Sequence, residues 1–563
     1  MLDENRCGQY HACTSTSDAR EGSMSPSNGN RDHRLPHDRV PSMVTPPRKQ
    51  PEPQPAASGR GPFLDDRRKR ILTIAIPVFA GLVGLFLLGR WVMGDRAPID
   101  VGPRASETVR APGPGEQTAE APMAGEAMAG GPAVPGDTTM GGAGMAASGG
   151  VRQGGPAAMG GGPGAAAPMI SGGGSWPNFR GAGYDNIGQE ESGLPASWPK
   201  SGPRKVWSKA MFGPGHAGAA IANGRVYVLD YNQKTRQDVL RCLSLADGSD
   251  IWQQPYAVEI KDNHGISRTV PAVAGGYVVS LGPMAHVTCA RADSGEVVWR
   301  VDLTKTYGTR IPSWYAGQCP IIDDGKAIIA PGGDALMVAI DCASGDVRWE
   351  APNPDRWQMT HASIMPMQLG GKKVYVYTAS GGIVGVSASD GKTVFKYPGW
   401  TVNTANVPTP VPVGDERLFI TGGYGAGSML LSVKGGTPAA VWKIPQNVFG
   451  SHQHSPIFYQ NHLFGVSMDR QLVCLSLQGK RVWESGHTAT FGIGPYLLAD
   501  GKILALEDKG TLVMAEASTA GYKELARAKV LPGPDAWAPM AIADGMLVLR
   551  DRDTMICLDV ANP

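Results

Sequence analysis

The chain has 563 residues, a formal net charge of +2 with 18% charged residues, and 76 glycines beside 46 prolines. A balance so near neutral supplies no field for binding nucleic acid, and that class is excluded. Glycine and proline at this density mean that a large part of the chain packs no core.

Residues 1–70 are polar and proline-rich, as in Thr45-Pro46-Pro47-Arg48-Lys49-Gln50-Pro51, and read as a disordered cytoplasmic arm. Its prolines suit an SH3- or WW-type reader, though a solvated tail explains them as well. Cys7, His11, Cys13, His33 and His37 are zinc-ligand types, but their spacing is loose and no apolar residues surround them. From Ile71 to Gly89 no charge interrupts the run ILTIAIPVFAGLVGLFLLG, which predicts a transmembrane helix over 71–93. A cleaved signal peptide is the competing reading; the 70 residues before the run and the lack of a small-residue cleavage site speak for an uncleaved anchor. Arg67, Arg68, Lys69 and Arg70 precede the run and only Arg90 and Arg96 follow it, so the arm is expected in the cytoplasm and the rest outside.

Residues 94–174 are mainly Gly, Ala, Pro and Met and read as a flexible low-complexity linker, with an r.m.s. span on the order of 50 Å. The methionines from Met123 to Met169 lack the regular spacing of a copper site.

From 175 to 563 short β-branched runs alternate with glycine turns, and they repeat. Trp207, Trp252, Trp299, Trp349, Phe395, Trp442, Trp483 and Leu525 recur every 41 to 50 residues. Gly248, Gly295, Gly345, Gly391, Gly479 and Gly521 each stand four residues before such an anchor, and Gly436 stands six before Trp442. Each is expected to close a tight turn at positive φ. A second series of turns, from Asn223-Gly224 to Asp544-Gly545, counts eight units. Four strands per unit at this period predicts an all-β fold, an eight-bladed β-propeller. Seven blades follow if the weakest unit, Gly414 to Pro445, is distorted. The last unit stops after its third strand, so the strand around Trp207 is expected to complete it and close the ring. Cys242, Cys289, Cys474 and Cys557 fall at one repeated strand position that suits a small buried side chain, so disulfides are not expected.

These units resemble the PQQ-like propeller repeat, in which an Ala-x-Asp-x-x-Gly turn leads into a Trp-bearing strand. Here it stands as Ala246-Asp247-Gly248-Ser249-Asp250-Ile251-Trp252 and Ala292-Asp293-Ser294-Gly295-Glu296-Val297-Val298-Trp299, with Trp176-Pro177-Asn178-Phe179-Arg180-Gly181 similar to the lead-in of exported bacterial members. The resemblance implies an exported bacterial protein; together with the predicted helix and its flanking charges, the chain is expected in the cytoplasmic (inner) membrane with its propeller in the periplasm. It covers quinoprotein dehydrogenases, a β-barrel assembly lipoprotein and proteins without known activity. The lipoprotein's anchor is absent, because no Cys follows the hydrophobic run. The dehydrogenases hold PQQ over calcium with Glu, Asn and Asp ligands and an Asp base, often beneath a disulfide between adjacent cysteines.

In a propeller the central site is built by the segments entering each innermost strand. Among these only Asp262 and Asp535 are acidic, and adjacent cysteines do not occur. No catalytic residue, resident metal or cofactor is therefore expected; PQQ with calcium, and with it an alcohol or sugar dehydrogenase, is the alternative. The same segments gather His216, His264, Arg268, Trp314, Tyr315, His361, Asn403, Asn406, His452, His454 and Trp537 as a candidate ligand face. Either the imidazoles and Arg268 hold a metal or an anion there, or each imidazole satisfies nearby loop backbone. Trp314 and Trp537 suit stacking on a sugar or aromatic ligand, or packing between blades. The expected role is a non-catalytic, membrane-anchored scaffold that binds a protein or small-molecule ligand.

Overall fold

The structure, a computed structural model, describes residues 174–563. The predicted arm, membrane helix and nearly all of the linker lie outside the described residues; among those described, no helix is long and apolar enough to cross a membrane.

Eight antiparallel sheets follow one another along the chain, so the eight-bladed reading holds and the unit at 414–445 is a complete blade. Blades 1 to 7 span 220–257, 272–302, 321–352, 365–397, 411–444, 457–484 and 496–529. Blade 8 takes three strands from 541–559 and its outermost from the N-terminal side, Arg204–Ala210, which pairs antiparallel with Thr554–Asp559. The expected closure is thus present, and no open edge remains at the seam.

The second and third strands of a blade are buried on both faces because each face meets a neighbouring blade. Arg225–Asn232 is buried over six consecutive residues, whereas the outermost strand Asp250–Ala257 has none fully buried. The core is accordingly a ring of interblade layers. Val279, Leu281 and Val287 of blade 2 meet Ile329, Val338 and Ile340 of blade 3 in one layer, and Val374, Val376 and Ile383 of blade 4 meet Leu418, Ile420 and Met429 of blade 5 in another.

On six of the eight outermost strands a tryptophan follows a β-bulge and reaches into the next blade. Its indole N–H donates to a carbonyl there: Trp207 to Leu245 (2.8 Å), Trp252 to Ala292 (3.2 Å), Trp299 to Asp341 (3.0 Å), Trp349 to Ala388 (3.2 Å), Trp442 to Leu477 (2.9 Å) and Trp483 to Ser518 (2.9 Å). The turn glycine lies against the same indole. A Cβ on Gly295, at φ 76°, would stand 2.6 Å from the Trp252 ring, and one on Gly248, at φ 71°, 2.8 Å from Trp207. Two readings are corrected here. In blade 7 the position opposite the third strand belongs to Ala526, paired with Met514, and Leu525 is the bulged residue. Gly521 has no positive φ and open space around it, so its turn is not of the kind expected. The neighbour of blade 7 offers no such turn, because blade 8 is closed by a strand from elsewhere in the chain.

The lead-in forms a strap across the channel. Trp176 makes a two-way backbone bridge with Ile221 of blade 1, and Pro177 accepts from Val273 of blade 2. Arg180, 2% exposed, donates to the Pro456 carbonyl at the edge of blade 6 (3.1 Å). Strand β1, Ile187–Gly188, then adds parallel to the inner edge of blade 7 at Leu498 and Ala499.

Candidate functional site

In an antiparallel blade the segment entering the first strand and the turn joining the second to the third emerge at the same end. Both sets wall a cavity of about 540 Å³ at one mouth of the channel, with Phe179 of the strap also in its lining. Every blade contributes: His216, Arg268, Trp314, His361, Ala405, His454, Asp508 and Trp537 stand for blades 1 to 8.

Of the candidate residues, His216, His264, Arg268, Trp314, His361, His452, His454 and Trp537 line this cavity. Tyr315, Asn403 and Asn406 do not. Asn403 is exposed, Asn406 is buried, and the Tyr315 hydroxyl donates to the Lys261 carbonyl. Inspection of the entering segments alone missed Tyr424, Met468, Arg470 and Asp508, which come from second-to-third strand turns of blades 5, 6 and 7. Tyr424 stands in the glycine-rich turn Gly423-Tyr424-Gly425-Ala426, between the strands Arg417–Gly422 and Gly427–Ser432. The alternation of strand direction is the signal that finds them.

Two of the imidazoles, those of His216 and His361, serve loop backbone. A carbonyl only accepts, so His216 Nε2 must donate to the His264 carbonyl (3.0 Å) and His361 Nε2 to that of Ser313 (2.8 Å). His216 also stacks on Trp537, with ring centroids 5.1 Å apart and planes 27° from parallel. Burial, reinforced by the charges of Arg268 and Arg550, lowers the His216 pKa to about 3. Burial lowers His361 and His454 to about 4. All three are neutral at ordinary pH. His452 and His454 lie in a loop, and their rings part: His452 meets Tyr424 of blade 5 edge-on, and His454 meets Tyr496 of blade 7.

Arg268 Nη2 caps the carbonyls of Asn263 (3.2 Å), His264 (2.8 Å) and Gly265 (3.1 Å), which fixes the guanidinium at the wall. Burial lowers its pKa to about 10, so it keeps its charge. Trp314 and Tyr315 both take left-handed backbone, at φ 63° and 74°, which costs of order 1–3 kcal/mol for each such residue. Neighbours hold the turn: Ala316 N–H donates to Pro283 of blade 2, and His361 of blade 4 holds Ser313.

Beneath the mouth a relay joins successive entering segments. The Val270 N–H donates to Cys319 Sγ (3.2 Å), Cys319 N–H to Ser363 Oγ (3.0 Å), Ser363 N–H to Thr409 Oγ1 (3.1 Å) and Thr409 N–H to Ser455 Oγ (2.7 Å). Cys319 and Ser363 also line the cavity, and neither was singled out in the sequence. The relay ties blades 2 to 6 at the level of the site.

The donor set does not fit calcium and PQQ. Asp508 is the one carboxylate in the lining, and its Oδ1 already accepts from Ile493 N–H (2.8 Å) and Trp537 Nε1–H (2.9 Å). Asp262 and Asp535 turn instead to Arg552, at 3.9 and 3.8 Å. A hard cation needs several oxygen donors together, and this wall offers mainly ring nitrogens, indoles and guanidinium.

Residues 235–484 match the profile of the family described as outer membrane protein assembly factor BamB. A curated BamB of Alkalilimnicola ehrlichii is 28% identical over 162 residues, 29% of this chain and 36% of the relative, so the chain spans about a third of that protein's length. Among solved structures, a europium-containing methanol dehydrogenase is 12% identical with a TM-score of 0.51, covering 67% of this chain and 89% of its own. The crystal structure of BamB from Moraxella catarrhalis is 14% identical with a TM-score of 0.47, covering 63% and 99%. At 12% identity the methanol dehydrogenase speaks to fold alone. The described chain is thus an eight-bladed β-propeller with a Trp-bearing repeat similar to the PQQ-like kind, and within it residues 235–484, under half of the chain, match that family's profile.

Proposed function

We propose that this protein is a non-catalytic scaffold, held at the cytoplasmic membrane by the helix predicted at 71–93, that binds a protein or small ligand outside the cytoplasm through the channel mouth. The observation that carries the reading is the mouth itself. All eight blades wall one cavity, its three most buried imidazoles are neutral, and its one carboxylate is already bonded. Such a wall supplies shape, stacking and hydrogen bonds rather than a base or a nucleophile. The matched relatives are named as assembly factors, which supports a binding role over a catalytic one.

The test uses the full-length chain with PQQ and Ca²⁺. We expect no stoichiometric retention of the quinone and no dye reduction with alcohols or sugars; tight retention with turnover overturns the reading. The anchor is tested separately by alkaline extraction of membranes. The full chain should stay in the pellet, and a chain lacking 71–93 should leave it.

A further inference from the structure

We propose that the mouth takes an acidic sugar, a hydroxyl-rich ring carrying a carboxylate. This inference rests on the binding reading above and names its ligand class. Three features of the wall converge on it.

The first is Trp314, held in left-handed backbone at the cavity by contacts from blades 2 and 4. An indole on backbone held in this way is a platform for the C–H face of a pyranose. The second is His216 Nδ1, a buried ring nitrogen without a protein partner among the described residues, on a residue only 6% exposed. Because His216 Nε2 donates to a carbonyl, its Nδ1 on the neutral ring is an acceptor and calls for a donor. Hydroxyl groups answer that need, and a flat aromatic acid has none to offer. The third is charge. Arg268 uses only Nη2 on backbone and leaves Nη1 for a ligand, and Arg470 stands exposed in the lining on blade 6, four blades away in a ring of eight. Asp508, the single acid there, is held by Trp537 and Ile493, so the wall favours an anionic group. A cavity of about 540 Å³ accommodates a ring of this kind.

The experiment follows intrinsic tryptophan fluorescence of the full-length chain during titration with glucuronate, glucose and benzoate. Glucuronate should give a saturable change, glucose should bind about tenfold more weakly, and benzoate should give none. R268Q should abolish the preference of glucuronate over glucose, and W314F should weaken both sugars by about three- to tenfold. Benzoate binding as tightly as glucuronate, an undiminished preference in R268Q, or no response to either sugar overturns the inference. Should a variant melt early, saturation transfer from the wild-type indole protons to glucuronate decides the point, and its absence overturns the inference. The two claims fail separately: a lost sugar response without PQQ turnover removes the ligand class alone, and PQQ turnover removes the binding reading.

Discussion

At the scale of single residues, burial sets the protonation states and gives the stability a shape with pH. His216, His361 and His454 have folded pKa values near 3, 4 and 4, below the ordinary imidazole value. The unfolded chain therefore binds more protons between these values and about 6.5, and stability falls as the medium is acidified through that window. Asp238 acts in the opposite sense. It is fully buried between blades 1 and 2, and burial raises its pKa to about 7, with the Asp230 charge adding to the rise and Tyr256 and Arg300 opposing it. Its stability term is complete below the unfolded value near 3.8 and is lost as pH rises to about 7. Asp238→Asn should therefore stabilise the protein more at about pH 8 than at about pH 5, the gain growing by about 1.4 kcal/mol per unit up to neutrality. Urea unfolding at the two pH values checks this, and equal gains would refute it. The sequence offered the histidines as a cluster, but which nitrogen faces a carbonyl depends on loops from neighbouring blades some 48 residues away. Asp238 carried no signal at all, because its burial arises only when blade 2 closes over it.

At the scale of elements, the bulge, the tryptophan and the turn glycine form one repeated joint between blades. This was the legible part of the chain, because the joint recurs at near-constant spacing and each piece has its own residue type. It failed where the joint is missing: Leu525 was read as an anchor by interval, yet the register gives that position to Ala526. The two glycines at the ends of this comparison give a clean test. Gly295→Ala adds a Cβ at φ 76° and 2.6 Å from the Trp252 ring, and should cost about 2 kcal/mol or more. Gly521→Ala meets nothing within 4 Å at an ordinary φ, and should stay within about 0.5 kcal/mol. Chemical denaturation of the two variants beside wild type measures the difference, and equal losses would show that the joint does not hold the blades. The strap was not legible in the same way. Its contacts are unique to it, and a periodic reading has no means of placing Trp176 on blade 1 or Arg180 beside blade 6.

For the whole molecule, closure is the decisive feature. Seven blades are contiguous in sequence, while blade 8 joins the two ends of the described chain through the pairing of Arg204–Ala210 with Thr554–Asp559. A chain beginning at Phe212 loses that strand and the strap, and leaves the third strand of blade 8 as an open edge. It should elute as oligomers or aggregates in size-exclusion chromatography with light scattering, and a well-behaved monomer would contradict this account of closure. The closure also has a mechanical side. A pull on the chain at Gly174 first meets the bond of its own N–H to Asp544 and the bridge of Trp176 with Ile221, then the parallel pair at Ile187–Gly188, and only afterwards the seven-residue strand in blade 8. Tension arriving from the N-terminal side is thus taken up by a series of separate fastenings, and the seam of the ring is the last of them to bear load.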